Sequence, residues 1–76
     1  MITITIMCNS LEFDLQIDSR QKIRVAIEIL VQKGMALVDV DRICIKSICQ
    51  KKVVSINKTF REEGINSGDK LEVIGE

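Results

Sequence analysis

The sequence predicts an α+β fold in which one helix packs on a mixed sheet of four to five strands. Three observations predict it: two alternating apolar runs near the N-terminus, one stretch of helical period after them, and further alternating runs towards the C-terminus. Strand residues alternate with a period of two and helix residues with a period of about 3.6, so a change of period marks an element boundary. With 76 residues, we expect a single domain spanning 1–76.

The N-terminal region predicts a β-hairpin. The segment 2–6 alternates isoleucine with threonine, and the segment 11–17 alternates apolar residues with acidic or amide residues. Between them, Asn9 and Ser10 are typical turn residues. Two alternating runs joined by so short a connection are typical of a hairpin.

A helical period follows the hairpin. From Ile23 the apolar residues recur at i, i+4, i+7 and i+8, which gives one apolar stripe along a helix. We expect Asp18 or Ser19 to be the N-cap, because their side chains can accept a backbone N–H bond. The helix is then expected to extend to Lys33, roughly 15 residues in all, and to end at Gly34 in a left-handed conformation.

The second half of the chain predicts three more strands and a short helical turn. Alternation at 43–48 and 53–56 indicates a third and a fourth strand, and the segment 71–74 indicates the last one. Thr59 and Glu62 have the spacing of a capping box, in which each side chain binds the backbone N–H of the other. We therefore expect a single helical turn at 59–62.

Two further expectations complete the predicted fold. Leu37, Val38 and Val40, in the loop after the helix, are expected to close one end of the core, and Phe60 is expected to point inward. The predicted order is ββαββ, a short helix, then β. The long crossover through the helix suits a parallel pairing of the first and last strands. This is the layout of a β-grasp domain.

The sequence resembles the ubiquitin-like superfamily over nearly its full length. The likeness lies in the opening hairpin, the helix and the segment TFREEGINSGDKLEVI, and GINSGDKLEVI at 64–74 carries most of it. Within the superfamily the chain is most similar to the small bacterial YukD/EsaB-like proteins associated with type VII (WXG100) secretion systems. It departs from them in its first turn, which is shorter and lacks an aromatic residue.

The resemblance implies a function and partners. It implies a cytosolic accessory or regulatory component of a type VII secretion apparatus that acts by binding protein. The implied partners are cytosolic domains of the membrane machinery and a second copy of the chain. Composition and periodicity do not lead to this assignment; the resemblance does.

The C-terminus separates two classes of function. Sulfur carriers and ubiquitin-type modifiers act through a tail ending in glycines, because glycine lets backbone enter a narrow adenylating site. Here Gly75 and Glu76 follow the last strand, and two residues reach at most about 7 Å. We expect a binding module, with a modifier acting through a processed C-terminus as the alternative. A third hypothesis is a domain excised from a larger membrane protein. The start at Met1 favours a standalone chain instead.

The alternation also predicts which residues lie on the outward face of the sheet. Only one of them is apolar, so we expect little area for receptors that dock on an apolar patch, as the readers of ubiquitin do. A solvated polar face and a dedicated polar interface both remain open. The predicted outward residues are Thr3, Thr5, Asp14, Gln16, Cys44, Lys46, Lys70 and Glu72.

Lysines gather around the predicted third and fourth strands. They predict either a basic patch for an acidic partner or charges that keep a sheet edge soluble. The segment 53–56 is expected to lie at such an edge, where it could accept a partner strand. The lysines are Lys46, Lys51, Lys52 and Lys58. The candidate protein-binding residues are Cys44, Lys46, Lys51, Lys52, Lys70 and Glu72.

Composition argues against several other classes of function. Eleven basic residues balance eleven acidic ones, which leaves no net field for nucleic acid or an anionic membrane. The chain has no histidine to activate a thiol or to complete a zinc site with its three cysteines. The odd cysteine count favours free thiols in a reducing cytoplasm. Glu62 and Glu63 are adjacent and point in different directions, so they do not predict acid/base catalysis. From these observations together we expect no enzyme activity, no cofactor and no metal.

Overall fold

The computed structural model describes residues 1–34 and 42–74, which contain five strands and one helix. The expectations on Leu37, Val38 and Val40, and those on the C-terminal tail, lie outside the described residues. In chain order the elements are β1 (Ile2–Cys8), β2 (Leu11–Ile17), α1 (Ile23–Gln32), β3 (Cys44–Ser47), β4 (Lys52–Val54) and β5 (Lys70–Ile74).

The strands form one mixed sheet in the order β2-β1-β5-β3-β4. β1 and β5 are parallel, with Thr5 opposite Lys70, and the other neighbouring pairs are antiparallel. The predicted α+β fold, with a mixed sheet on one helix and with parallel first and last strands, is confirmed. Among the described residues, no helix is long and apolar enough to cross a membrane.

The predicted hairpin is confirmed with a two-residue turn. Cys8 lies opposite Leu11, so Asn9 and Ser10 are the two loop residues. Both have positive φ, 52° and 68°, as a type I′ turn requires. That turn type matches the twist of the flanking strands, which explains why so short a connection joins two strands of seven residues each.

The helix is shorter than predicted, and its N-cap is a different residue. α1 has ten residues, and its N-cap Lys22 makes no side-chain capping bond. Instead, the first N–H groups bind backbone from the segment after β4. The Ile23 N–H donates to the carbonyl of Lys58 at 3.0 Å. The Arg24 N–H donates to the carbonyl of Ile56 at 3.0 Å.

Asp18 and Ser19, the predicted caps, belong to a turn before the helix. The Asp18 carboxylate accepts the Arg20 guanidinium at 2.9 Å and the Arg20 backbone N–H at 2.9 Å. Hydrogen bonds from the Arg20 side chain, and then from its backbone, hold the pKa of Asp18 well below its usual range. The Ser19 carbonyl accepts the N–H of Arg61 at 2.8 Å. The N-cap prediction was therefore wrong, whereas Gly34, with φ 109°, is left-handed as predicted.

The predicted capping box is confirmed, and it closes one turn. The Thr59 N–H donates to Oε1 of Glu62 at 2.9 Å, and the Glu62 N–H donates to Oγ1 of Thr59 at 3.0 Å. The Glu63 N–H donates to the Thr59 carbonyl at 3.1 Å. The segment is a single hydrogen-bonded turn, as the capping box predicted, and it does not continue into a helix. Phe60 is fully buried, as expected.

The core lies between α1 and the inward face of the sheet. The predicted third strand ends at Ser47, which is fully buried, and Ile48 beyond it is 39% exposed. The Ser47 Oγ accepts the N–H of Gln50 at 3.2 Å, which satisfies this buried hydroxyl at the β3–β4 turn. The buried apolar side chains are Ile4, Ile6, Cys8, Ile17, Ile23, Ala26, Ile27, Leu30, Ile45, Val54, Phe60, Ile65, Leu71 and Val73.

Candidate functional site

The open face is the side of the sheet opposite α1. On β3, Cys44 and Lys46 are exposed while Ile45 between them is fully buried, so the first two lie on the open face. Lys46 lies opposite Val53 on β4 and opposite Glu72 on β5. Directly opposite residues share a face of the sheet, so these three side chains are neighbours there.

A row of five side chains crosses the open face, one from each strand. Met7 on β1 lies opposite Glu72 on β5 and opposite Glu12 on β2, which extends the row to the far edge. We call this set the central row. From β4 to β2 it contains Val53, Lys46, Glu72, Met7 and Glu12.

Apolar side chains lie on both sides of the central row. On one side, Cys44 is opposite Ile74, and both are exposed, Ile74 by 45%. On the other side, the N–H of Ile48 donates to the carbonyl of Lys70 at 2.9 Å, which continues the β3–β5 pairing by one residue. Together with Val53, which is 64% exposed, these residues surround the charges at the centre of the face.

The open face is thus more apolar than the sequence predicted. We expected Cys44 to be its one apolar member, and that expectation was wrong. Receptors that dock on apolar groups would find area here, although the charges of the central row divide it. The apolar side chains that the structure adds are Met7, Ile48, Val53 and Ile74.

The missed residues lie at strand ends and on the edge strand. The run at 53–56 did not show whether Val53 or Val54 points inward, and the register with β3 buries Val54. Alternation could have found Ile74, because Leu71 and Val73 are inward and the next residue must then be outward. Strict alternation continued one residue beyond β3 would likewise have placed Ile48 outward.

Two opposite charges at the centre of the face have no ion-pair partner in the described part of the chain. Lys46 and Glu72 are cross-strand neighbours, yet no salt bridge within 4.0 Å joins them to each other or to another described residue. A shallow depression beside them is lined by Lys46, Ile48, Lys51 and Glu72. Both charges therefore remain available to a second molecule.

The predicted edge at 53–56 is confirmed, because β4 is the outermost strand, and it is partly occupied. The Ser55 N–H donates to the carboxylate of Glu63, and Lys52 Nζ donates to the Glu63 carbonyl at 2.7 Å. These contacts hold residue 63 against the edge and hinder strand addition there. Lys52 is opposite the buried Ser47, so it leaves the sheet on the helix side and not on the open face.

The remaining lysines that the sequence singled out do not lie on one common surface either. Lys70 lies on the open face, and its Nζ is 3.8 Å from Oε2 of Glu12. Lys58 lies in the segment whose carbonyls cap α1. Lys46 and Lys51 do lie together, along the depression. Of the two alternatives for the lysines around the third and fourth strands, a single basic patch containing all four is therefore not what the structure forms. Two of the four, Lys46 and Lys51, contribute to the open face.

No disulfide joins the three cysteines, all of which lie among the described residues. Cys8 is buried in the core, whereas Cys44 and Cys49 are exposed. Within residues 1–34 and 42–74, no three His, Cys, Asp or Glu side chains converge as metal ligands would. On the open face, Cys44 is a small apolar neighbour of Ile74.

The architecture places the chain among ubiquitin-like β-grasp folds, and comparison with solved structures agrees. The ubiquitin-like domain of Plasmodium falciparum Dsk2 is similar with a TM-score of 0.77 and 13% identity, over 99% of this chain and 97% of that chain. The EccD5 ubiquitin-like domain from Mycobacterium xenopi is similar with a TM-score of 0.69 and 17% identity, over 99% and 93%.

A third similar structure is part of a complex. ATBAG1, solved in complex with HSP70, has a TM-score of 0.79 and 12% identity, over 100% of this chain and 41% of that chain. No protein-family model matches the chain, and no curated protein matches it either. At these identities, the similarities establish the fold.

Proposed function

We propose that the chain is a non-enzymatic protein-binding module that docks its partner on the open face. The observation that carries the proposal is the set of exposed apolar side chains, Ile48, Val53 and Ile74, around the charges of Lys46 and Glu72. Exposed apolar side chains gathered on one face are typical of surfaces that bind other proteins, and here the two charges lie among them. ATBAG1, a similar structure solved in complex with HSP70, supports a binding role for the fold.

We further propose that the partner is a cytosolic domain of the type VII secretion machinery, and that the chain is an accessory or regulatory component in the cytoplasm. The support is the resemblance of residues 64–74 to the YukD/EsaB-like proteins. The structural similarity to the bacterial EccD5 ubiquitin-like domain is a second, coarser support.

The test is capture of partners from the native host with an N-terminal tag, which leaves the C-terminus free. We expect partners under native conditions and none under fully denaturing conditions. Val53→Lys should lower partner recovery at least about tenfold, because it places a charge where an apolar contact forms. Leu11→Lys is the matched control: Leu11 is 58% exposed, close to the 64% of Val53, but it lies opposite the buried Cys8 and away from the open face.

The outcomes separate the parts of the proposal. Equal loss of recovery at Val53 and Leu11 would contradict docking on the open face, provided that far-UV circular dichroism shows both variants folded. Partners that include no secretion component would overturn the secretion assignment and keep the binding module. Adducts that survive denaturation and reduction would overturn the binding module and support a ubiquitin-type modifier.

A further inference from the structure

We propose that the open face also binds a second copy of this chain, in a two-fold symmetric dimer with the two sheets face to face. The inference uses the same face as the proposed partner site, but it does not depend on the secretion assignment. It rests on the central row, in which the four members on β4, β3, β5 and β1 are arranged so that they are complementary to the same four in a second copy.

The self-complementarity follows from the strand order. Consider a two-fold axis that lies between two facing sheets, parallel to the strands and midway between β3 and β5. This axis places β3 over β5 of the second copy, and β4 over β1, because the order is β2-β1-β5-β3-β4. Lys46 then faces Glu72 of the second copy, since the two residues are opposite each other in one sheet. Two-fold symmetry forms the reciprocal contact at the same time.

The same axis matches the apolar residues. Val53 and Met7 occupy equivalent places on either side of the axis, so each faces the other across the dimer. Cys44 and Ile74 are opposite each other in one sheet, and they too exchange places. One choice of axis therefore pairs apolar with apolar and positive with negative along two neighbouring rows.

A third row, which contains Ile48 and Lys70, fits the same arrangement. The backbone of Ile48 is bonded to that of Lys70, so the axis places Ile48 over Lys70 of the second copy. The ammonium of Lys70 is directed to Glu12, 3.8 Å away, which leaves its methylene stem to cover Ile48. Sheets packed face to face lie about 10 Å apart, which is enough for these side chains to interdigitate.

The charges at the centre of the face favour a second copy over a partner of one sign. A uniformly acidic segment would pair with Lys46 and be repelled by Glu72, and a basic segment would do the reverse. A surface that carries one charge of each sign, side by side, can pair with both Lys46 and Glu72. Lys46 and Glu72 have no ion pair among the described residues of the monomer, so the dimer breaks no existing salt bridge.

The test is sedimentation equilibrium of the purified chain over a wide range of concentrations, with reversed charges at the two central positions. We expect the wild type to move from monomer to dimer as concentration rises. Lys46→Glu and Glu72→Lys should each weaken self-association at least about tenfold, because like charges then face each other. An equimolar mixture of the two variants should form a heterodimer, since each pair of facing side chains then carries opposite charges. Lys58→Glu, the same change of charge away from the open face, should behave as the wild type.

Each other outcome overturns part or all of the inference. A wild type that stays monomeric throughout would overturn the dimer. Single variants that associate as the wild type does would overturn this choice of face. A mixture that stays monomeric, with both variants folded by circular dichroism, would overturn the reciprocal pairing. Because self-association is measured on purified protein and partner recovery in the host, failure of one result leaves the other intact.

Discussion

Glu62 shows how one side chain can organise a segment that is too short to be a helix. Its carboxylate accepts the Thr59 N–H, and its own N–H donates to the Thr59 hydroxyl. Hydrogen bonds to this carboxylate from Thr59, from its backbone first and then from its side chain, hold the pKa of Glu62 below its usual range. Thr59 also forms an isolated bridge to Lys22, so the turn is attached to the start of the helix.

The lowered pKa of Glu62 predicts a specific dependence of stability on pH. The pKa of Glu62 in the folded chain lies below the 4.5 of the unfolded chain. Its contribution is therefore fully present above about pH 4.5 and is lost as pH falls through the lower, folded pKa. We expect the difference in Tm between the wild type and Glu62→Gln to be larger at neutral pH than in acid.

Far-UV circular dichroism is the suitable probe for this comparison, because the chain has no tryptophan or tyrosine. Asp18, whose pKa is also lowered, is present in both proteins, so its contribution cancels in the difference. A gap in Tm that does not change with pH would contradict a role for the ionised Glu62 carboxylate.

At the scale of elements, α1 depends on the segment that follows β4. The first N–H groups of a helix have no partner within it, and a side chain at the N-cap usually satisfies one. Here the Ile56 and Lys58 carbonyls bind the N–H groups of Arg24 and Ile23, and the Lys22 carbonyl binds the N–H of Val25 at 3.0 Å. The helix is capped by backbone, and most of that backbone comes from a distant part of the chain.

We therefore expect Lys22→Ser and Lys22→Ala to differ little in stability. A serine N-cap is usually about 1 kcal/mol better than alanine, because it binds the N–H of the second or third helical residue. In this helix both of those groups are already bound, so we expect a difference below about 0.5 kcal/mol. Urea unfolding would measure it.

Thr59→Ala is the control, since Thr59 makes a side-chain capping bond in the structure, and it should cost about 1 kcal/mol. A full serine advantage at position 22 would show that the carbonyls of Ile56 and Lys58 do not act as the cap.

In the whole molecule, Phe60 joins the turn at 59–62 to the core. It is fully buried in the same cluster as the inward residues of α1 and the sheet. Its N–H donates to the carbonyl of Gln21 at 3.2 Å, and its carbonyl accepts the N–H of Ile65 at 2.9 Å. The residue therefore connects the entry to α1 with the approach to β5.

Phe60→Ala should remove most of the stability of the domain. Deleting a buried phenylalanine side chain costs about 3–5 kcal/mol, and a domain of this size has on the order of 4–11 kcal/mol in all. We expect a large loss in urea unfolding, and a smaller one for Phe60→Leu, which keeps part of the volume. Arg61→Ala, at the exposed next position, should stay within about 0.5 kcal/mol of the wild type. Equal losses at positions 60 and 61 would contradict this account.

The sequence by itself determined those features that depend on neighbouring residues. Alternation predicted β1, β2 and β5, a period of 3.6 predicted the apolar stripe of α1, and the spacing of Thr59 and Glu62 predicted their reciprocal bonds. These patterns are local, because the residues that interact are close in sequence or share one face of a single element. The order of elements was then enough to predict the α+β fold.

Only the tertiary structure decided the features that need residues from distant segments. The sequence favoured Asp18 or Ser19 as the N-cap, whereas in the structure the carbonyls of Ile56 and Lys58 bind the first N–H groups of the helix. Val53 belongs to the open face because of its register with β3, and a register is set between two strands rather than within one. The candidate site is assembled from every strand of the sheet, so its apolar and charged members became neighbours only when strands distant in sequence were paired.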